Sequence, residues 1–342
     1  MKRESGIDLV RVTGLLFVVG VHQFLYNGFY YEPQMGAAMW AADTARWLFF
    51  CCNGIFMMMT GYLRSTKEFG KGCYKGLLPV LVSYVLCCCI IFPLQILLGE
   101  RMRTIKWIMR FVTFGNYAWY VEMYIGLVLV SPVINMGLKQ MKDKYLAIFA
   151  FIMLCVTSLH SITALDIIPD YWSAMYPLTY YVIGAAIRRL QPKVNTWLGI
   201  GAAVAISMGL ALTSIITTDE GFSKGFTQGY GGFWTMLTTT GIFLGLYRVQ
   251  VSPRLAKVLA WLAGGVFEGY LLSKIFDLWT YPLVKQWHVP EKYWLVFLCV
   301  TVPTFLCTML LGKAVNQVSG LLVKVFTQQT KKKTGKYTAQ KR

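Results

Sequence analysis

With 342 residues, 56% of them hydrophobic and 14% charged, and a mean hydropathy of +0.52, the chain sits among integral membrane proteins and outside the range of soluble enzymes. Its formal charge of +18 would suit a nucleic-acid partner, but the bases fall in short clusters between apolar runs, a pattern that positive-inside topology explains. Runs of roughly 17 to 25 apolar residues predict about ten spans, starting near Ile7, Ala45, Gly76, Tyr117, Tyr145, Met175, Asn195, Gly231, Leu255 and Tyr293. The expected fold is an all-α polytopic membrane bundle, one domain over residues 1–327 followed by a basic, disordered tail at 328–342. If Lys2 and Arg3 start the chain in the cytoplasm, the connections on that side hold Arg64 to Lys75, Lys139 to Lys144, Arg188 to Lys193 and Arg248 to Lys257, all basic. An even number of spans then returns the C-terminus to the same side.

The first span, Ile7 to Tyr26, is apolar along most of its length but carries Arg11 and His22, and it is read as a retained helix because no small-residue cleavage site follows it. Eleven positions turn a helix about 20° past three full turns and climb roughly 16.5 Å, so Arg11 and His22 share a face. Asp8 lies on the same stripe. An arginine near a span centre costs on the order of 2.5 to 3.5 kcal/mol, and such charges face a bundle interior or a wet cavity. The plainer alternative has Arg11 snorkelling to headgroups and His22 marking an interface. Histidine titrates nearest physiological pH, which makes His22 the natural general base, whereas His160 and His288 sit near span ends without neighbouring carboxylates.

The connection after the second span places Arg64, Lys67, Lys71 and Lys75 beside Gly70, Gly72 and Gly76, a flexible basic stretch able to hold phosphates, although topology alone would also produce it. There is no P-loop motif. The nine cysteines lie mostly within apolar runs, as at Cys51, Cys52 and Cys87 to Cys89, and lack zinc-site spacing, so no metal is expected. Glu100 to Asn116 interleaves Arg101, Arg103, Lys106 and Arg110 with Ile105, Ile108 and Met109, as a helix lying in the membrane interface would. Span four opens with Trp119, Tyr120, Glu122 and Tyr124, a glutamate that needs a partner beside aromatics that could line an acceptor pocket. Span nine carries Glu268, Tyr270, Ser273, Lys274 and Asp277, too many polar groups for a lipid-facing helix. Lys274 and Asp277, three apart, can neutralise one another, which leaves Glu268 without a cation on its own helix.

These residues together resemble the acyltransferase 3 family of bacterial membrane acyltransferases, whose mark is an arginine, ten residues and a histidine in helix one, here Arg11 and His22. The similarity continues through FFCCNGIFMMMTGYL (Phe49 to Leu63), WYVEMYIGLVLVSP (Trp119 to Pro132), YPLTYYVIGAAIR (Tyr176 to Arg188) and GYLLSKIFD (Gly269 to Asp277). It extends to the membrane portion of vancomycin-resistance serine racemases. The resemblance implies transfer of an acyl group, commonly acetyl, from acetyl-CoA or another acyl-CoA to a hydroxyl of an envelope glycan or lipid-linked sugar at the bacterial cell membrane. It also implies that His22 activates the acceptor and that Arg11 holds the donor or stabilises developing charge. Asp8, Trp119, Glu122, Tyr124 and Glu268 are then candidate substrate contacts, and Arg64, Lys71 and Lys75 candidate donor contacts. The chain departs from the family at the Arg-x-Arg pair before Leu77, Leu78 and Pro79, where it has Cys73 and Lys75, and at a late histidine position, where it has Ser273.

Two other readings are open to the same residues. A transporter or flippase of an envelope precursor would also place polar residues on spans one, four and nine. A structural or sensory subunit would use them for helix packing, though polar bonds between spans average only ~0.6 kcal/mol, a poor reason to keep a charged arginine.

Overall fold

The computed structural model describes residues 3–70, 72–101, 103–162, 168–217, 229–283 and 290–339, and no strand occurs among them. In chain order the helices are α1 (Ser5–Tyr26), α2 (Gly36–Phe50), α3 (Cys52–Arg64), α4 (Leu77–Leu97), α5 (Thr104–Arg110), α6 (Gly115–Gln140) and α7 (Asp143–Ser158). They continue as α8 (Tyr176–Leu190), α9 (Thr196–Thr217), α10 (Phe233–Leu246), α11 (Pro253–Ala263), α12 (Val266–Leu283), α13 (Tyr293–Val296) and α14 (Val302–Ala339), the last two joined by a π-helical turn at Phe297–Thr301.

Among the described residues, six stretches are long and apolar enough to cross a membrane: α1, α4, α6, α7, α9 and the run through α13 and α14. The ten apolar runs of the sequence are therefore not ten such helices. The run from Ala45 is interrupted at Cys51, which ends α2 and starts α3, and its N–H bonds back to the Leu48 carbonyl at 3.2 Å. The runs from Met175 and Gly231 form helices of 15 and 14 residues, short of the roughly 20 that a straight crossing needs. The run from Leu255 forms α11 and α12, bent by 62°, which count as a seventh span if taken together. Hydropathy registers none of these breaks, because both sides of each are apolar.

Helix α1 lies inside the bundle, touching α2, α3, α10, α11, α12 and α14. The tightest crossing is between α3 and α8. A Cβ on Gly61 would run into the Tyr181 carbonyl, and one on Gly184 into that of Met58. Small residues at such a crossing let two backbones pack directly, which is how spans associate where lipid supplies no hydrophobic drive.

One end of the bundle gathers the basic helix ends. Arg188 Nη1 donates to Glu4 Oε1 at 2.6 Å, the Tyr62 hydroxyl donates to Glu4 Oε2 at 2.7 Å, and Ser5 Oγ donates to the Val249 carbonyl at 3.0 Å. Asn135 Nδ2 donates to the carbonyls of Arg64 and Lys67, both at 2.7 Å. Arg189 pairs with Asp143 at 2.8 Å. The start of α1 and the ends of α3, α6, α8 and α10 therefore meet at this end. At the opposite end α5 covers only Thr104–Arg110 of the expected interfacial stretch. Trp107 and Phe111 pack on Phe92, while Ile105, Ile108 and Met109 remain exposed. The backbone of α14 stays helical to Ala339.

Candidate active site

Four helices, α1, α3, α6 and α12, run alongside two cavities that lie one beyond the other. The first, of about 560 Å3, is lined by Arg11 of α1, Arg64 and Thr60 of α3, Tyr120 and Tyr124 of α6, Glu268 of α12 and Lys324 of α14. The second, of about 350 Å3, is lined by His22 and Tyr26 of α1, Trp119 of α6, Tyr230, and Ser273, Lys274 and Asp277 of α12. Both volumes fall within or near the range of small-molecule sites. Asn53 of α3 and Tyr270 of α12 line both cavities and form part of the wall between them. The alignment of Arg11 and His22 on one face of α1 thus puts one in each cavity.

In the first cavity Arg11 shares its counter-ion. Asp8 Oδ1 lies 3.5 Å from Arg11 Nη1, while Arg3 takes Asp8 Oδ2 at 2.6 Å and Oδ1 at 3.1 Å. Two guanidinium groups on one carboxylate leave a net positive charge, and the Arg11 side chain is 29% exposed. Deeper in, Glu268 is almost fully buried, and its Oε1 accepts from Ser83 Oγ at 2.6 Å and from Asn316 Nδ2 at 3.0 Å. Its Oε2 has no hydrogen-bond partner among the described residues. Arg64 donates to the Cys73 carbonyl at 3.1 Å, which fixes its head beside the cavity.

In the second cavity His22 Nδ1 lies 3.1 Å from Asp277 Oδ1, with side-chain exposures of 23% for His22 and 1% for Asp277. A carboxylate that accepts the Nδ1 proton leaves Nε2 as the basic nitrogen, and an imidazole exposed to the cavity can use it. Lys274 Nζ is 4.0 Å from the other Asp277 oxygen and 3.2 Å from the Tyr26 hydroxyl. Aromatic faces form much of the remaining lining: Tyr230 stacks on Phe50 at 4.4 Å and on Trp119 at 5.5 Å between centroids. Such a platform suits the flat apolar face of a ring ligand.

The structure brings together Arg11, Tyr124, Glu268 and Arg64 in one cavity and His22 and Trp119 in the other. It does not bring the rest. Asp8 lines neither cavity and is buried in its ion pairs. Glu122 is exposed and lines neither, because it lies about 200° around α6 from Tyr120, opposite the face that Tyr120 and Tyr124 share. Lys75 is exposed outside both linings, and Lys71 and His288 lie outside the described residues. Three residues carry more than the sequence assigned to them. Asp277 partners His22 rather than Lys274 alone, and the polar stripe Tyr270, Ser273, Lys274 and Asp277 at helical spacing was the signal for it. Asn53 and Lys324 gave no signal distinguishable from ordinary polar residues. Among the described residues no group of three or more His, Cys, Asp or Glu could hold a metal ion.

No curated protein and no solved structure matches the chain. A family model described as an acyltransferase domain matches residues 4–313, which takes in both cavities except Lys324 and the other α14 residues beyond 313. The Arg11 and His22 pair, the helical bundle and this match over nearly the whole length agree, and the chain belongs to the acyltransferase 3 family of membrane acyltransferases.

Proposed function

We propose that the chain moves an acyl group, acetyl in the first instance, from an acyl-CoA held in the Arg11 cavity to a hydroxyl of an envelope glycan or lipid-linked sugar in the His22 cavity. The observation that carries this is the division of the two charged residues between adjoining cavities. Some 16.5 Å of helix is too far for Arg11 and His22 to serve one small reacting centre, but it suits a thioester arm entering from one side and an acceptor from the other. The basic helix ends lie around Arg64, and by the positive-inside rule that end faces the cytoplasm, where acyl-CoA is found. The protein then sits in the bacterial cytoplasmic membrane, with lipids around it and no nucleic-acid partner.

In this reading Arg64 and Lys324 hold the donor's phosphates, Arg11 lies further along the arm, and Trp119, Tyr230 and Tyr26 receive the sugar. His22 Nε2 takes the acceptor's hydroxyl proton, and Asp277 orients the ring and stabilises the imidazolium that forms. A test is to purify the protein in detergent and follow acyl-CoA binding and CoA release for wild type, His22→Ala and Arg11→Ala. The expected result is binding by wild type and His22→Ala, and turnover by wild type alone. Well-folded wild type that binds no acyl-CoA would refute the proposal. It would favour a transporter, which could use the same two cavities for alternating access without consuming CoA.

A further inference from the structure

We infer that Asn53 and Tyr270 form the oxyanion hole of this reaction, an assignment that rests on the acyltransferase reading above. At the moment of transfer the acyl carbon is still bonded to the thioester sulfur and already within reach of the acceptor oxygen. With donor and acceptor in different cavities, that carbon can sit only where the cavities adjoin. Arg11 lines the first cavity and not the second, and His22 the second and not the first. The residues common to both linings are Asn53 and Tyr270, and each offers a hydrogen-bond donor, a side-chain amide and a phenol. Amide and phenol donors of this kind serve oxyanions in acyl transfer.

Both donors are held by packing rather than by long flexible stems. Asn53 stands in the first turn of α3, directly after the break at Cys51, and is mostly buried. The next residue, Gly54, is covered by the Tyr180 ring so closely that a Cβ there would lie 2.6 Å from it, which fixes this turn. Tyr270 sits edge-on to Tyr120, with centroids 5.8 Å apart and planes at 77°. Donors set in advance need no reorganisation when charge develops, which is the basis of their effect.

The acceptor hydroxyl loses its proton to His22 Nε2 as its oxygen forms a bond to the thioester carbon. The carbonyl electron pair moves onto oxygen, and that oxyanion accepts hydrogen bonds from the Asn53 amide and the Tyr270 hydroxyl. When the carbonyl re-forms, the C–S bond breaks, the thiolate leaves with the electron pair, and the imidazolium returns the proton to sulfur. The products are the ester and a free thiol.

The test is steady-state kinetics of CoA release from acetyl-CoA, with water as the acyl acceptor, by Asn53→Ala, Asn53→Asp and Tyr270→Phe, with thermal midpoints and acetyl-CoA binding measured on the same preparations. Loss of one oxyanion donor typically lowers kcat about 10²- to 10³-fold. Each variant is expected to fall by that order with KM for acetyl-CoA unchanged, Asn53→Asp lowest because it places a negative charge where one develops. If Asn53→Ala fails to fold, Tyr270→Phe, which keeps the whole ring, decides the matter. A kcat within about threefold of wild type in folded variants, or a raised KM at constant kcat, overturns the assignment. Wild type that binds acetyl-CoA without ever transferring it removes the acyltransferase reading instead, and this assignment with it.

Discussion

Replacing Asp277 by Asn keeps the shape of a side chain that is 1% exposed and removes the charge 3.1 Å from His22 Nδ1. The charge matters when His22 becomes an imidazolium. Opposite unit charges about 4 Å apart interact by roughly 4 kcal/mol at an effective dielectric constant of about 20. Lys274, 4.0 Å from the other carboxylate oxygen, already draws on the same charge and lowers the share that His22 receives. A loss of about 2 to 4 kcal/mol follows, which is roughly a 30- to 1,000-fold fall in kcat. The amide of Asn also presents both a donor and an acceptor, so it can hold His22 in the wrong tautomer and push the loss to the upper end. The assay is chromatographic measurement of CoA and acylated acceptor. KM for acetyl-CoA should not move, since Asp277 lines only the acceptor cavity. Folded Asp277→Asn with kcat within about threefold of wild type would refute the pairing as part of the chemistry.

Arg64→Ala and Lys324→Ala should each raise KM for acetyl-CoA by roughly ten- to a hundredfold, the worth of about one charge-assisted hydrogen bond, with little change in kcat, whereas Lys75→Ala, outside the cavity lining, should leave both constants alone. Burial pushes the Glu4 carboxyl up, but its hydrogen bonds from Arg188 and Tyr62 win and hold it below its ordinary value of 4.5. Its contribution to stability is therefore complete above the ordinary glutamate range and is lost as pH falls through the lowered value. Thermal midpoints of the detergent-solubilised protein should show this acid limb, and Glu4→Gln should flatten it; an unchanged limb in that variant would assign the acid sensitivity elsewhere.

What the sequence showed was what a single helix decides. The rotation between Arg11 and His22 is a local property of α1, and the structure keeps both on a cavity-facing side. The polar stripe on α12 was legible for the same reason. What it could not show was which helix faces which. Asp277 meets His22 across 255 positions of chain, and its neighbour Lys274 offered a simpler partner one turn away. Glu122 stood out as a charge near a span end, but its angular distance from Tyr120 and Tyr124 turns it away from the cavities they line. The breaks at Cys51 and between Ala263 and Val266 are invisible to hydropathy, yet the first of them is what sets Asn53 against the wall between the cavities.

That wall also limits what the site can accept. Asn53 and Tyr270 are the residues that both linings share, while Arg64 and Lys324 line only the first cavity and Tyr26 and His22 only the second. Cutting Tyr270 back to alanine would remove the larger of the two side chains common to both linings. A transferase of this design cannot accept bulkier acyl groups simply by hollowing out its centre, because the side chains that would make room are the two that stand between donor and acceptor.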